Sequence, residues 1–597
     1  MKSKYKYVEN LWDENKASAL GDDQVGLFLY RSNLLGKDLR ITNFGGGNTS
    51  CKTIEKDPLT HEEVEVMWIK GSGGDIGTLT REGIAGLYNQ KLCDLKKVYR
   101  GLEHEDEMVG LFNHCIYDLD SRAPSIDTPL HGLLPFKHID HLHPDALIAI
   151  AAAEDSQEIT KEIWGDTMGW VPWQRPGFDL GLKLEACFKE NPSIRGIVLE
   201  SHGLFTWGDT SYDSYINSLE VIEAASQYIE NKIVKNGSVF GGQKIKSLNP
   251  DSRKSQAALL APLLRGLCSS EDPVIGHFTD DEKVLEYINS HALKRLAPMG
   301  TSCPDHFLRT KIKPMLLTLS PDEDLLDEQR ILSKISNLFE HYRKEYQEYY
   351  NSCRHPNSPP IRDPNPIVIL YPGVGMFTFA KNKQTARVAS EFYSNAIHVM
   401  RGAEAVSKYT SLPRQEAFDI EYWLLEEAKL QRLPKEKPLS RKVALITGSG
   451  GGIGRAIGDK LISEGATVVF TDISEQYLEE ATRQYSSDQA IGCHCDVTNS
   501  ESIAAAIQKA CLHFGGLDFV VHSAGLAISK SLADTTEAEW DLLQNVLVKG
   551  QFLMSKAVSY VMKKQHLGGN IINIASKNGL VSGPNNAGYG TAKAGQI

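Results

Sequence analysis

Features of a secreted, disulfide-stabilised or membrane-spanning protein are scarce in this sequence of 597 residues. Its ten cysteines contain no C-x-x-C pair and are too sparse for a disulfide scaffold, which fits a reducing compartment. No apolar run approaches the roughly 18–20 residues that a membrane span needs, and the N-terminal segment has no apolar core typical of a signal peptide. We therefore expect a cytoplasmic protein with no membrane partner.

An excess of basic residues is also missing. The chain carries 64 Lys and Arg against 76 Asp and Glu, which gives a formal net charge of -12. A protein that binds a phosphate backbone normally shows a basic field, so we do not expect nucleic acid as a partner. The hydrophobic fraction of 41% is ordinary for globular proteins and excludes disorder as a description of the whole chain. A chain of this length is expected to form several domains.

Changes in composition predict where those domains begin and end. Gly, His and Asp are concentrated between about residues 27 and 208, and a segment with longer helical patterns and one strand-like run, 366–380, follows. A charged stretch that contains proline, 431–440, is typical of a linker. We predict a first domain at 1–248, a middle segment at 249–430, the linker at 431–440 and a last domain at 441–597.

A glycine loop in the last domain has the context of a dinucleotide site. It follows a strand-like run that starts at Val443 and opens a helical pattern, and a second strand-like run ends at Asp472. Glycines allow a close approach to a pyrophosphate, and the helix N-terminus supplies N–H groups, so a ligand-free turn is the weaker interpretation. A carboxylate at 472 can accept bonds from ribose hydroxyls and would repel a 2′-phosphate, which favours NAD over NADP. The predicted loop contacts are Gly448, Gly452, Ile453 and Gly454.

A serine, a tyrosine and a lysine behind this loop indicate acid–base chemistry. Tyr589 and Lys593 are four residues apart, so on a helix they share one face, and a neighbouring ammonium lowers the pKa of a phenol. Ser576 can hold the substrate oxygen beside the tyrosine. A lone Tyr-x-x-x-Lys is commonly accidental, but here it follows both the serine and a nucleotide loop.

Taken with Asp496 and the run His522-Ser-Ala-Gly525, these motifs resemble the short-chain dehydrogenase/reductase family over roughly 441–597. The resemblance implies a doubly wound parallel-sheet Rossmann domain that binds NAD. It implies that Ser576 positions the substrate, that Tyr589 is the acid/base, and that Lys593 lowers the pKa of the tyrosine and binds ribose. It also implies cofactor contacts for Asp496, near the adenine ring, and for Ala524 and Gly525.

Two departures from this family affect the expected activity. Leu547 stands where the family commonly has an active-site Asn, which puts the family's proton relay in doubt. The sequence stops at Ile597, whereas family members continue for about another strand, helix and strand. We therefore expect a dehydrogenase domain that is incomplete at its C-terminus, binds NAD poorly and oxidises little.

Three histidines in the first domain suggest a metal centre. His141 and His143 are two residues apart, so in a strand both can reach one ion, and a strand-like run before His202 can deliver a third ring. Three imidazoles with an open position is the usual plan of a catalytic zinc site. A lone His-x-His is weak on its own, because histidines are also ordinary polar residues.

Two glycine-rich loops and an acidic turn accompany these histidines. The loops, 45–50 and 70–75, are dense in N–H and hydroxyl donors without bulk, which suits a phosphate monoester, although tight turns alone would explain the glycines. Asp127 is a candidate general base, although an acidic residue in a loop is more commonly a solvated turn or a helix cap.

The ordered set of these motifs resembles the class II sugar-phosphate aldolase family, which includes ribulose-phosphate epimerases, over about residues 25–240. The resemblance implies that His141, His143 and His202 bind Zn²⁺ and that Asp127 takes and returns the proton. It implies a phosphate cradle made of Gly47, Asn48, Ser50, Gly71, Ser72 and Ser125. Fuculose-phosphate-type aldolases have a glutamate in place of Asp127 and the epimerase branch has an aspartate, so cleavage and epimerisation both stay open.

A chain with an aldolase domain followed by a dehydrogenase domain resembles the bifunctional rhamnulose-1-phosphate aldolase/alcohol dehydrogenase proteins. That resemblance implies an α/β enzyme that splits L-rhamnulose 1-phosphate into dihydroxyacetone phosphate and L-lactaldehyde, followed by an NAD-dependent step on the aldehyde. By analogy we expect a homo-oligomer. The run Gly300–His306 also fits this resemblance, and His306 is either a further pocket residue or structural. The alternatives are an epimerase with a vestigial dehydrogenase, or a non-catalytic protein similar to adducins, which lack the metal ligands.

Overall fold

Two compact units make up the protein in a computed structural model that describes residues 5–270, 272–321, 323–424, 427 and 435–597. The first unit contains residues 1–243, 290–308 and 392–428, and the second contains 244–289, 309–391 and 429–597, as far as they are described. The expected middle segment is thus shared between both units. Residues 425, 426 and 428–430 of that segment and 431–434 of the expected linker lie outside the described residues.

A seven-stranded sheet forms the centre of the first unit, with the strand order β3-β2-β1-β4-β7-β6-β5. All neighbours in it are antiparallel except β5 and β6. Strands β4 and β6 are fully buried, as expected for a sheet covered by helices on both faces. The strands are β1 (Asn48–Lys56), β2 (Glu63–Lys70), β3 (Ile84–Tyr88), β4 (His138–Leu142), β5 (Gly169–Val171), β6 (Gly196–Leu199) and β7 (Gly203–Gly208).

The longest helix of the first unit, Ser211–Asn236, packs on this sheet. Its N-cap Thr210 accepts a hydrogen bond from the backbone of Asp213, and buried side chains recur every three or four residues along it, including Tyr215, Leu219 and Ile222. The other helices of the unit are Glu14–Ala19, Gln24–Lys37, Asn89–Asp94, Glu105–Leu111, Thr128–Gly132, Asp145–Ala151, Ser156–Trp164, Phe178–Glu190, Leu293–Leu296 and Arg414–Glu421. Helices Pro304–Thr310 and Lys383–Val406 contain residues of both units.

A parallel sheet of five strands in the second unit confirms the expected doubly wound fold. Its order is β14-β13-β12-β15-β16, and every neighbouring pair is parallel. The predicted strands at 443 and 467 are both present. The five strands are β12 (Val443–Thr447), β13 (Thr467–Asp472), β14 (Ala490–His494), β15 (Phe519–His522) and β16 (Asn570–Asn573).

A second sheet of the same unit has the order β8-β11-β10-β9. It is made of β8 (Ile275–Thr279), β9 (Met315–Leu316), β10 (Val368–Tyr371) and β11 (Gly375–Ala380). The strand-like run predicted at 366–380 is therefore an antiparallel hairpin of β10 and β11. Phe377 of this sheet and Leu445 of the parallel sheet belong to one hydrophobic core, so both sheets are parts of a single folded unit.

The second unit contains long helices that cover both sheets. They are Pro250–Cys268, Glu282–Ile288, Glu328–Cys353, Gly452–Ser463, Glu475–Thr482, Ser500–Phe514, Glu537–Leu543, Gly550–Gln565 and Ala587–Gln596. A π-helical turn, Gln544–Lys549, connects two of them. Among the described residues, no helix combines the length and the apolar character that crossing a membrane requires.

Candidate functional sites

The three histidines predicted as metal ligands lie together in the first unit. His141 is in β4 and His143 directly follows that strand, while His202 occupies the tight turn between β6 and β7. β7 pairs with β4, and Ser201 takes a left-handed conformation in the turn, which together bring His202 beside the other two. The ring centroids are 4.7 to 5.2 Å apart, and one ligand nitrogen from each ring lies within 4.8 Å of the others.

Hydrogen bonds fix which nitrogen of two of these rings is free. Nδ1 of His141 lies 3.0 Å from the carbonyl oxygen of Leu204, and Nδ1 of His143 lies 2.5 Å from Oδ2 of Asp305. Because a carbonyl and a carboxylate only accept, both Nδ1 atoms carry the proton and both Nε2 atoms present lone pairs. These two Nε2 atoms are 3.1 Å apart, close to the roughly 3.3 Å of two nitrogens bound tetrahedrally at about 2.0–2.1 Å from one ion.

Burial disfavours the charged form of two of these imidazoles, those of His141 and His202. It lowers the pKa of His141 to about 4, with a further contribution from His143, and it lowers the pKa of His202 well below its usual value. Nδ1 of His202 has no hydrogen-bond partner among the described residues although it is buried. Neutral rings with free lone pairs, packed in a buried cluster, fit a divalent cation, whose charge would offset their desolvation.

A second group of possible ligand atoms consists of His143, Cys303 and Asp305. Burial raises the pKa of the Cys303 thiol well above its usual value, and its Sγ donates to the carbonyl oxygen of His202, 3.7 Å away. A protonated thiol is a poor metal ligand, because the thiolate is the ligand form. The three histidines are therefore the better candidate centre.

Asp127 lies beside this cluster and is not a helix cap. It precedes helix Thr128–Gly132, but its side chain makes no capping hydrogen bond with that helix. Instead, its Oδ2 accepts from the hydroxyl of Ser125 at 3.2 Å and from the amide of Asn48 at 3.4 Å. Its charge raises the pKa of His141, although the burial of that ring outweighs it, so the two groups are close enough to interact electrostatically. The side chain of Asp127 therefore does not cap this helix, and its role as a general base stays a prediction.

The predicted phosphate loops adjoin one another along the edge of the same site. Gly47 has a φ of +70°, and a Cβ there would lie 2.6 Å from the carbonyl oxygen of His141, so the close approach of the loop to the histidine strand requires glycine. The amide of Gly45 lies 3.4 Å from a carboxylate oxygen of Asp75 in the second loop. The second loop is in turn joined to the segment before Asp127, since the amide of Ser72 donates to the carbonyl of Ala123.

Gly71 and Arg122 meet at this junction. A Cβ on Gly71 would lie 2.9 Å from the side chain of Arg122, whose Nε donates to the carbonyl oxygen of Ser72 at 2.9 Å. Arg122 is exposed, so its guanidinium adds positive charge to the loops. Arg122 was not among the predicted cradle residues, because no local sequence pattern distinguishes it from an ordinary surface arginine.

Ser50 is placed differently from the other predicted cradle residues. Its hydroxyl lies 2.8 Å from Nδ1 of the buried His131, and Ser50 itself is fully buried. A phosphate contact by this hydroxyl would require that bond to be exchanged. The cradle role of Ser50 stays a prediction.

Asp305 is a further residue of the site. Its position within the run Gly300–His306 did not by itself predict a role. Asp305 is 162 positions from its partner His143 in the chain. His306 beside it is fully buried against Phe392, with ring centroids 5.6 Å apart. The contact with His143 lowers the pKa of Asp305 below its usual range, although burial acts in the opposite direction. A signal that could have found Asp305 is the need of a metal-ligating imidazole for an acceptor at its other nitrogen.

In the second unit, the glycine loop follows β12 as predicted. Gly448 has a φ of +61°, and a Cβ there would lie 2.5 Å from Cα of Ala524, so no other residue fits this turn. Gly454 packs against the carbonyl of Gly448, whereas a Cβ on Gly452 would meet nothing within 4 Å. The loop is thus open at the start of helix Gly452–Ser463, and Ile453 is 63% exposed there.

Asp472 closes one side of this loop. Its Oδ2 accepts from the amide of Gly450 at 3.0 Å, and its Oδ1 accepts from the amide of Ser474 at 3.1 Å. Asp496 follows the next strand, and its Oδ1 accepts from both the amide and the hydroxyl of Thr498. Asp472 is the last residue of its strand and Asp496 lies just past the end of the neighbouring parallel strand, at the edge where doubly wound folds bind ligands.

The remaining predicted residues flank the same edge of the sheet. The amide of Ala524 donates to Thr447, and a Cβ on Gly525 would lie 2.9 Å from the side chain of Leu547. Leu547 is buried within the π-helical turn Gln544–Lys549.

The predicted tyrosine and lysine share one face of helix Ala587–Gln596. Nζ of Lys593 lies 5.8 Å from the ring centroid of Tyr589 and donates to the carbonyl of Ile574 at 2.7 Å. Burial lowers the pKa of Lys593. Ser576 starts a short turn, its hydroxyl oxygen accepting from the amide of Asn578. The lysine thus bonds the backbone two residues before the predicted serine.

Three family models match the chain in succession. The class II aldolase and adducin N-terminal domain matches residues 29–229, the second domain of class II aldolases matches 255–430, and the short chain dehydrogenase family matches 442–597. The N-terminal class II aldolase domain of a conserved protein from Thermoplasma acidophilum is a similar solved structure. It is 31% identical, covers 37% of this chain and 99% of its own, and has a TM-score of 0.34.

Two curated relatives are similar over different extents. The uncharacterized oxidoreductase YuxG of Bacillus subtilis (strain 168) is 38% identical over 592 residues, which is 98% of this chain and 85% of the relative. An uncharacterized oxidoreductase of Staphylococcus aureus (strain USA300) is 38% identical over 156 residues, 26% of this chain and 67% of the relative. Together with the successive domain matches, the nearly full-length similarity shows the family. The chain therefore belongs to a family of enzymes in which a class II aldolase domain is fused to a short-chain dehydrogenase domain.

Proposed function

We propose that the aldolase site cleaves L-rhamnulose 1-phosphate into dihydroxyacetone phosphate and L-lactaldehyde with Zn²⁺, and that the dehydrogenase site acts on L-lactaldehyde with NAD. The observation that carries the cleavage is the pair of lone-pair-bearing Nε2 atoms of His141 and His143, 3.1 Å apart and beside Asp127. Histidine nitrogens at this spacing are well suited to hold one divalent ion.

The metal would be held by His141, His143 and His202. When bound, it supplies the Lewis-acid charge that stabilises negative charge on the ketose oxygens as the C3–C4 bond breaks. The imidazoles would contribute nitrogen lone pairs, and the hydrogen bonds to Leu204 and Asp305 fix the ring orientations of His141 and His143.

Asp127 moves the proton in this proposal. Its carboxylate takes the proton of the C4 hydroxyl, C4 becomes the aldehyde carbon, and the electron pair of the C3–C4 bond passes to the C2–C3 part of the ketose. The proton is then returned to C3, which completes dihydroxyacetone phosphate. Ser125 and Asn48 hold Oδ2 of this carboxylate in place.

The substrate phosphate would lie at the two joined glycine loops. Gly47, Gly71 and Ser72 offer backbone donors there without bulk, Asn48 and Ser125 contribute polar side chains, and Arg122 adds positive charge. Ser50 is the least favoured member of this group, because its hydroxyl is bonded to His131.

In the dehydrogenase site, the open glycine loop would take the pyrophosphate and Asp472 the ribose hydroxyls, a geometry that supports NAD over NADP. Bound NAD supplies the hydride acceptor. Tyr589 would exchange the proton with the substrate oxygen, Lys593 would support it, and Ser576 would hold that oxygen. The dehydrogenase would then consume the aldehyde that the aldolase site releases, which gives the fusion a chemical reason.

An epimerase is the second candidate, because an aspartate rather than a glutamate stands at position 127. Epimerases and aldolases of this kind share the bond-breaking step and differ in whether the fragments are released. Product analysis separates the two functions.

The test is incubation of the zinc-loaded chain with L-rhamnulose 1-phosphate, followed by identification of the products. We expect a triose phosphate and an aldehyde, and a loss of roughly three orders of magnitude in rate for His143→Ala or after chelation, since the ion supplies several kcal/mol of stabilisation. The exposed His114 provides the matched control, and His114→Ala should keep the rate. Recovery of an epimer without cleavage products would favour the epimerase, and an unchanged rate in His143→Ala would contradict both.

A further inference from the structure

The segment 290–308 reaches the histidine cluster from within the part of the chain matched as the second aldolase domain. Two of its side chains contact two of the three histidines. Asp305 Oδ2 lies 2.5 Å from Nδ1 of His143, and the Cys303 thiol donates to the backbone carbonyl of His202. These contacts come from far along the chain and are not part of the histidine strands.

We propose that Asp305 is a positioning residue of the aldolase metal centre, supplied by the second aldolase domain. The proposal rests on the metal centre proposed above. Asp305 acts through His143, whose Nδ1–H it holds, so that Nε2 keeps its lone pair directed at the ion.

Two physical effects follow from this contact. A carboxylate acceptor excludes the tautomer in which Nε2 carries the proton, because that tautomer would leave Nδ1 and the carboxylate facing each other as two acceptors. The same carboxylate makes the imidazole a more basic ligand and adds a negative charge close to the cation. The side chain of His143 is 5% exposed and that of Asp305 is 29% exposed, so the pair is largely shielded from water.

Gly46 independently indicates that this contact has been accommodated by the fold. A Cβ at this position would lie 2.1 Å from Oδ1 of Asn43, 2.6 Å from Oδ2 of Asp305 and 3.0 Å from Nδ1 of His143. A methyl group there must therefore displace the side chain of Asn43 and also disturb the contact between Asp305 and His143. The first glycine loop thus leaves the space in which the carboxylate meets the imidazole, and the bond can be disturbed from a second element.

The experiment measures the dissociation constant of Zn²⁺ by competition with a chelator, together with the visible absorption spectrum of the Co²⁺-loaded chain. Asp305→Ala should weaken binding 10- to 100-fold and change the Co²⁺ spectrum, since losing such a partner typically costs that much affinity. Asp305→Asn, which keeps an acceptor but loses the charge, should restore part of the affinity. Gly46→Ala should weaken binding in the same direction.

Asp155→Asn is the matched control, because this carboxylate also bonds a residue of the later chain, Ser407, but does not contact the histidines. It should leave metal affinity unchanged, and the metal-free variants should unfold at the same urea concentration as the wild type. Wild-type affinity in Asp305→Ala, or in Gly46→Ala, would overturn the proposal. A wild-type chain that binds zinc but does not cleave the sugar phosphate would overturn only the proposed substrate.

Discussion

The chemistry of individual side chains in this molecule depends on which of their atoms already has a partner. Nδ1 of His141 is held by a backbone carbonyl, so its other nitrogen is free for an ion. Asp127 makes no side-chain cap with the helix that follows it, and its carboxylate accepts from Ser125 and Asn48 instead. The hydroxyl of Ser50, a predicted cradle residue, is bonded to His131. Residue type suggests a role for a side chain, and its hydrogen-bond partners determine which of its atoms can perform that role.

Asp472 carries a prediction at this scale. Asp472→Ala removes the acceptor for Gly450 and the carboxylate expected to bind ribose hydroxyls. We expect NADH to bind about tenfold more weakly, because a hydrogen bond to a charged group is worth about 1.5–3 kcal/mol. NADPH should lose no affinity, since the charge that would repel its 2′-phosphate is gone. Fluorescence titration with both dinucleotides measures the ratio.

The control for this titration is Asp459→Ala. Asp459 lies on helix Gly452–Ser463, which precedes β13, and its carboxylate accepts from the hydroxyl of Tyr485. This substitution should leave both affinities unchanged. An NADH-to-NADPH ratio that is the same in Asp472→Ala and the wild type would show that this carboxylate does not select the dinucleotide.

Helix Pro250–Cys268 joins the middle of the chain to the parallel sheet of the second unit. A Cβ on its Gly266 would lie 2.0 Å from the carbonyl oxygen of Gln565, so the helix packs directly against helix Gly550–Gln565. Its Arg265 forms a buried ion pair with Asp518, which precedes β15, at 2.7 Å. The same carboxylate accepts from the amide of Val443 at the start of β12. Helix Pro250–Cys268 of the middle segment is thus part of the hydrophobic core that also contains the parallel sheet.

Breaking this pair should destabilise the second unit strongly. Arg265→Met leaves Asp518 charged and buried without its main partner, which typically costs 3–5 kcal/mol. The comparison is Arg387→Met, which removes the more exposed partner of Asp488 and should cost about 1 kcal/mol or less. Urea unfolding followed by circular dichroism measures both. Equal midpoints for the two variants would contradict a structural role for the buried pair.

At the scale of the whole molecule, the sequence predicts local elements better than long-range partners. The strands at 443 and 467, the helix that carries Tyr589 and the parallel sheet follow from periodicity and glycine placement. The three histidines could be grouped because His141 and His143 lie in and directly after one strand, and His202 lies in the turn of a hairpin that pairs with it.

Other features could not be read from the sequence for a physical reason. Asp305 and Arg122 reach the aldolase site through tertiary packing, which local pattern does not record. The sharing of the middle segment between two units depends on which apolar faces pack together, as Phe377 and Leu445 do in one core. The expected domain boundaries and the expected weak activity of the dehydrogenase stay predictions.

The most direct measurement is the divalent-metal content of the purified chain, determined by elemental analysis after dialysis at pH 7. We predict one ion per chain in the wild type and far less in His202→Ala. We also predict release of the ion in acid, because protonation of the imidazoles removes the lone pairs that would hold it. A wild type without a bound ion, or equal metal content in His202→Ala at pH 7, would contradict a metal centre built from these three imidazoles.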